Sequence, residues 1–106
     1  MEKRLTPRFP FVASAELIEE GSDARLACRV SELSLHGCYV DVLNTLPEGT
    51  IVLVKVFADG EFFESKAVVA YTHPRLGMGL SFRGLKPHFL TVLKGWLLKA
   101  MTAENP

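Results

Sequence analysis

Ile51-Val52-Leu53-Val54-Lys55-Val56-Phe57-Ala58-Asp59-Gly60-Glu61-Phe62-Phe63 contains a β-hairpin written in local chemistry. Residues 51–57 are rich in β-branched side chains and read as a buried strand. Asp59-Gly60 then supplies two residues that tolerate positive φ, the strongest hairpin signal in the chain. Glu61 to Thr72 is the partner strand. Pro74-Arg75-Leu76 turns the chain again, and Gly77 to Phe82 is a further short strand. Its glycines, Gly77 and Gly79, imply a bend or a close approach of backbone.

The residues before this hairpin continue the same period of two. Phe9 to Glu19 places Phe11, Ala13, Ala15 and Leu17 on one face and Ser14 and Glu16 on the other. Glu20-Gly21-Ser22-Asp23 is a turn. Ala24 to Leu33 alternates Leu26, Cys28 and Val30 with Arg25, Arg29 and Ser31. Ser34-Leu35-His36-Gly37 breaks that strand, Cys38 to Leu43 forms another, and Asn44 to Gly49 is a loop. After the last strand the period changes. From Pro87 to Met101, Phe89, Val92, Leu93, Trp96, Leu97 and Ala100 recur at steps of three and four, the stripe of an amphipathic helix. Pro87 suits the first helical turn. Gly95 weakens such a helix by about 1 kcal/mol relative to alanine, which predicts that it allows tight packing.

The expected fold is mainly β: a six-stranded antiparallel β-barrel with a C-terminal α-helix packed on it. A chain of 106 residues with 48% hydrophobic and 23% charged side chains suits one ordered domain. Residues 1–8 form a flexible arm, 9–83 the barrel and 86–102 the helix. No apolar run is long enough for a membrane span and residues 1–8 hold no secretion-signal core, so a cytoplasmic protein without membrane insertion is expected. Cys28 and Cys38 are then expected to be reduced.

Twelve basic and twelve acidic residues give a formal net charge of zero. That balance argues against a surface that grips nucleic acid broadly. The charge is nonetheless uneven along the chain. Residues 1–64 hold eleven acids and six bases, whereas 65–103 hold six bases and no acid. Within the acidic half, the first ten residues run positive through Lys3, Arg4 and Arg8. A barrel that binds single-stranded nucleic acid would interleave aromatic platforms with exposed bases. Phe57, Phe62, Phe63 and Tyr71 do not show that pattern. Enzyme and metal signatures are missing too. His36, His73 and His88 are scattered, the two cysteines form no CxxC, and no phosphate loop or nucleophile–base set is present.

Two features carry binding chemistry. Arg4-Leu5-Thr6-Pro7-Arg8 places two guanidinium groups with three residues between them, partly stiffened by Pro7. Guanidinium pairs bidentately with phosphate and with the O6/N7 edge of guanine. Glu32-Leu33-Ser34-Leu35-His36-Gly37 ends the second strand. In an extended chain Glu32 and Ser34 share a face. A carboxylate there can accept from guanine N1–H and N2–H, a hydroxyl can bond phosphate or a base edge, and Gly37 admits close backbone approach.

In this order, Arg4-x-x-x-Arg8 followed by Glu32-x-Ser34-x-x-Gly37 resembles the PilZ domain family, whose motifs are RxxxR and [D/N]xSxxG. Gly77-Met78-Gly79-Leu80-Ser81-Phe82 is similar to that family's last barrel strand. The resemblance spans Lys3 to the terminal helix. It implies a non-enzymatic receptor for cyclic di-GMP, with no further cofactor. Arg4 and Arg8 would hold phosphate and guanine, and Glu32, Ser34 and Gly37 would complete the site. Lys3 and Gly79 are secondary site residues. Glu32 departs from the family's Asp or Asn by one methylene, which moves the acceptor. With no output domain, the signal would pass to an effector protein in motility, biofilm or envelope regulation. The alternative is an interaction module without nucleotide binding, acting in pilus or motility assembly. The Trp96-bearing helix offers a surface for a homodimer.

Overall fold

A computed structural model of the chain describes residues 7–104. It contains β1 (Phe9–Glu19), β2 (Arg25–Leu33), β3 (Gly37–Asp41), β4 (Ile51–Ala58), β5 (Glu61–His73), β6 (Gly77–Arg83) and α1 (Pro87–Glu104). Every neighbouring strand pair is antiparallel, and the order β1-β2-β3-β6-β5-β4 closes through β1–β4. Closure removes the free sheet edges that would otherwise invite pairing with other chains. The Asp59-Gly60 turn has both residues at positive φ, 54° and 75°, as a two-residue hairpin turn of this hand requires.

The period-two reading maps directly onto the barrel. Ala13, Ala15 and Leu17 of β1 point inward, as do Val52, Val54 and Val56 of β4. They meet Val30, Leu33, Val40, Phe63, Val69, Met78 and Leu80 in one core. β4 is buried on that face only, contrary to the expectation of a strand buried throughout. Ile51, Leu53 and Phe57 point outward and remain exposed. Lys55, between them, lies 4.4 Å from the Phe62 ring centroid and 5.4 Å from that of Phe57. A base therefore does stand beside these aromatics, although sequence alternation alone did not place it there. β3 ends at Asp41 rather than Leu43, because Val42 leaves the ladder to donate to the Leu76 carbonyl.

α1 lays its apolar stripe on the barrel. Leu93, Trp96 and Leu97 are buried, and Trp96 stacks on Phe11 and packs on Phe63, each at 5.4 Å between centroids. The Trp96 indole N–H donates to Glu61 at 3.4 Å. Leu93, Trp96 and Leu97 of that stripe are therefore packed within the chain, while Leu98 and Met101 of the same helix stay exposed. Gly95 is a further correction. It faces solvent, and a Cβ there would meet nothing within 4 Å, so no close packing is made at this position. Among the described residues, no helix is long and apolar enough to cross a membrane.

Candidate functional site

The turn between β2 and β3 is built by the two residues the motif singles out. The Ser34 amide donates to the Gly37 carbonyl at 2.9 Å. The Ser34 hydroxyl donates to the same carbonyl and accepts from the amides of Gly37 and His36, at 3.1–3.3 Å. Such a side chain substitutes for backbone partners in a tight turn. Gly37 is needed for another reason. A Cβ there would stand 2.2 Å from the Leu80 carbonyl oxygen, so only glycine lets β3 lie against β6. The Phe82 amide donates to the His36 carbonyl and ties the turn to β6.

The extended geometry expected of Glu32 and Ser34 stops at Leu33. A register shift between Val30 and Glu32 changes the strand's phase, so that Leu33 is buried and the Glu32 side chain stays half exposed. Ser34 is buried and its hydroxyl is committed to its own turn. Glu32 instead faces Arg8, whose Nη1 lies 3.6 Å from Glu32 Oε1. Both groups are partly solvated, so this pair contributes about 0–1 kcal/mol of stability and leaves either group free to exchange partners. Arg8 Nη1 also donates to the Tyr71 phenol oxygen at 2.9 Å, and its guanidinium carbon lies 5.7 Å from the centre of that ring. Arg4 and Lys3 lie outside the described residues.

Gly79 enters the site through Tyr71. The ladders pair Glu32 with Tyr39, Tyr39 with Gly79, and Gly79 with Tyr71, giving one row across four strands. A Cβ on Gly79 would meet the Tyr71 ring at 2.3 Å, and one on Gly77 the Tyr39 ring at 2.7 Å. Each tyrosine therefore lies across a glycine of β6. The rings stand 6.2 Å apart with planes inclined by 32°. Tyr39 and His73 share a hydrogen bond of 3.0 Å between Oη and Nδ1. Burial against the sheet raises the Tyr39 pKa, with added contributions from Tyr71, Asp41 and Glu32, so the phenol stays neutral.

Sequence reading missed Tyr39, Tyr71 and His73. The signal was available. Tyr39 sits between the inward Cys38 and Val40, and Gly77 and Gly79 share the outward phase of β6 with Met78 and Leu80 pointing in. Two glycines on one outward face call for large side chains from the flanking strands.

Around this face the charges are paired. Arg29 grips Asp41 at 2.8 and 3.2 Å, and the Ser31 hydroxyl donates to Asp41 at 3.0 Å. Among the described residues, no group of three His, Cys, Asp or Glu side chains is placed to hold a metal ion. Burial pushes the Cys28 thiol up to about 11, with Asp41 adding to it, and pushes the fully enclosed Cys38 higher still. A thiol held protonated is a poor nucleophile and a poor metal ligand. Beyond Pro7 the groove between the end of α1 and the start of β1 is apolar, with Lys94 its one charged side chain among the described residues.

The barrel thus brings Arg8, Glu32 and Tyr71 together on its outer face, with Glu32 two residues before Ser34 of the serine–glycine turn. The family model described as PilZ domain matches residues 2–99, and the chain belongs to that family. Solved structures agree in fold. An inhibitor of motility from Bacillus subtilis (MotI/DgrA) superposes with a TM-score of 0.80 at 14% identity over 100% of this chain. This chain spans only 55% of that protein. The PilZ domain of YcgR from Escherichia coli, solved with c-di-GMP, gives 0.79 at 14% identity, covering 97% of this chain and 95% of that one. The PilZ domain of CeSA from a cellulose-synthesizing bacterium gives 0.65 at 16% identity, covering 93% and 99%. None of the curated proteins matches the chain.

Proposed function

We propose that the chain is a cytoplasmic receptor for cyclic di-GMP that passes the second-messenger level to an effector protein by contact, in motility, biofilm or envelope regulation. The observation that carries this reading is the position of Arg8. Its guanidinium stands 3.6 Å from Glu32, two residues before the turn that Ser34 and Gly37 build, which supports reading the two motifs as one site. Phosphate binding by Arg8, and by Arg4 four residues earlier, neutralises a dianionic ligand without a basic protein. Glu32 accepts from a guanine edge, Ser34 and Gly37 shape the turn beneath it, and Lys3 adds charge at the arm. Binding, not bond-breaking, is the chemistry these groups supply. A ligand that binds only the folded chain raises its melting temperature, by an amount equivalent to about 2.7 kcal/mol at a hundred times the dissociation constant. A thermal shift with cyclic di-GMP and none with GMP is the expected result. No shift at tens of micromolar cyclic di-GMP would overturn the reading.

A second reading is favoured by the same contacts. Arg8 already has Tyr71 and Glu32 as partners, and the Ser34 hydroxyl is saturated within its turn. A domain in which those contacts persist would act as an interaction module indifferent to the nucleotide, in pilus or motility assembly. Glu32→Asp separates the two. Tighter nucleotide binding in that variant supports the receptor. A partner captured equally with and without nucleotide supports the module.

A further inference from the structure

Tyr39 and Tyr71 form a structure that the two motifs do not account for. Both project from the outer wall of the barrel, where strand alternation ordinarily puts polar side chains. Both are held down in the same way, each across a glycine of β6 that has no room for a Cβ. Their rings are adjacent, 6.2 Å between centroids, and His73 lies 5.8 Å from Tyr39 and 5.4 Å from Tyr71. Both tyrosines keep part of their surface in solvent. The shelf is bordered by charge of both signs, with Arg8 over Tyr71 and Glu32 paired in register with Tyr39.

We propose that Tyr39 and Tyr71 are a stacking shelf for one purine base of the ligand, and that they set the preference of this site for purine over pyrimidine. The proposal rests on the receptor reading above and extends it to residues outside the family motifs. A planar ring laid on the shelf places its edge toward Glu32, an acceptor for the N–H groups of guanine, and its sugar-phosphate toward Arg8. Two tyrosines suit this task because their rings are rigid and their hydroxyls are already bonded, to His73 and from Arg8. The glycines beneath fix the height of the rings, so the shelf is built before a base arrives. A phosphate that draws Arg8 away leaves the Tyr71 ring uncovered on the side the base approaches.

The test is calorimetric titration of cyclic di-GMP and cyclic di-UMP into the full chain and four variants. Stacking on an aromatic side chain contributes about 1–3 kcal/mol per base, roughly a fivefold to hundredfold change in affinity. Tyr71→Leu and Tyr39→Leu should therefore weaken cyclic di-GMP binding about tenfold or more and narrow its advantage over cyclic di-UMP. Tyr71→Phe keeps the ring but loses the bond from Arg8, and should bind within a few-fold of the unaltered chain. Phe57→Leu, an exposed aromatic on another part of the wall, should change nothing. Upfield shifts of the guanine H8 and of the tyrosine ring protons in the unaltered chain give the same answer should a leucine variant fail to fold. Binding by the unaltered chain that survives both leucine changes, with no such shifts, overturns the shelf and leaves the receptor reading standing. Absence of binding by the unaltered chain overturns both.

Discussion

Arg8 donates to the phenol oxygen of Tyr71 at 2.9 Å, although 63 residues separate them in the chain. The contact links the entry to β1 with β5 and draws Arg8 over the row formed by Glu32, Tyr39, Gly79 and Tyr71. Glu32 holds the same nitrogen at 3.6 Å. A phosphate competing for Arg8 must displace one neutral and one charged partner, and that exchange is the step by which a ligand would alter the barrel's outer face.

Gly37 and Gly79 should respond differently to alanine. At Gly37 the new Cβ meets a backbone oxygen that cannot move without breaking the β3–β6 ladder, whereas at Gly79 it meets a tyrosine ring that can swing away. Overpacking of this kind costs about 1–3 kcal/mol. Gly79→Ala should sit at the low end and should be relieved when combined with Tyr71→Ser. Gly37→Ala should cost more and find no such relief. Urea unfolding of the single and double variants measures both, and equal, unrelieved losses would contradict the assignment.

Ser34→Ala removes one hydroxyl that makes three hydrogen bonds inside its turn. The partly buried amides of His36 and Gly37 lose their acceptor, so a loss of about 1–2 kcal/mol is expected. A variant as stable as the unaltered chain would show that the hydroxyl is not needed by the turn and is reserved for a ligand.

Gly95→Ala should stabilise the chain by about 0.5–1 kcal/mol, because the helix gains propensity and the new methyl group meets nothing. Denaturation measures it. A destabilised variant would mean that this face of α1 is covered in solution.

Stability should fall at alkaline pH through the two thiols. In the folded chain burial holds Cys28 protonated up to about 11, whereas an unfolded thiol ionises from its ordinary value of 9.0. The folded pKa is the higher one, so the contribution is complete below pH 9 and is lost as pH rises from 9 through about 11. Cys38 acts in the same direction. The urea midpoint should drop between pH 9.0 and about 11, and less steeply in Cys28→Ala. An identical slope in that variant would remove Cys28 from the account.

Local chemistry was sufficient to read the strands. Asp59-Gly60 required a hairpin, and the alternation around Ala13, Ala15 and Leu17 named the inward face of β1 correctly. The helix stripe through Leu93 and Trp96 was legible for the same reason, since one period matches one buried face. The site was only half legible. Arg8, Glu32, Ser34 and Gly37 stand in a readable spacing, but the bulge between Val30 and Glu32 rotates the strand in a way no alternation count foresees. Tyr71 reaches Arg8 through register across β3 and β6, which is long-range information. Gly95 misled because a glycine in a helix looks alike whether packing demands it or nothing opposes it.

The most direct measurement is calorimetric titration of cyclic di-GMP at tens of micromolar into the unaltered chain, Arg8→Ala and Arg75→Ala. Arg75 lies in the exposed turn between β5 and β6 and serves as a charge-matched control. The account predicts saturable heat with the unaltered chain and with Arg75→Ala, and its loss with Arg8→Ala. No heat with the unaltered chain, or equal heat with all three, would contradict it.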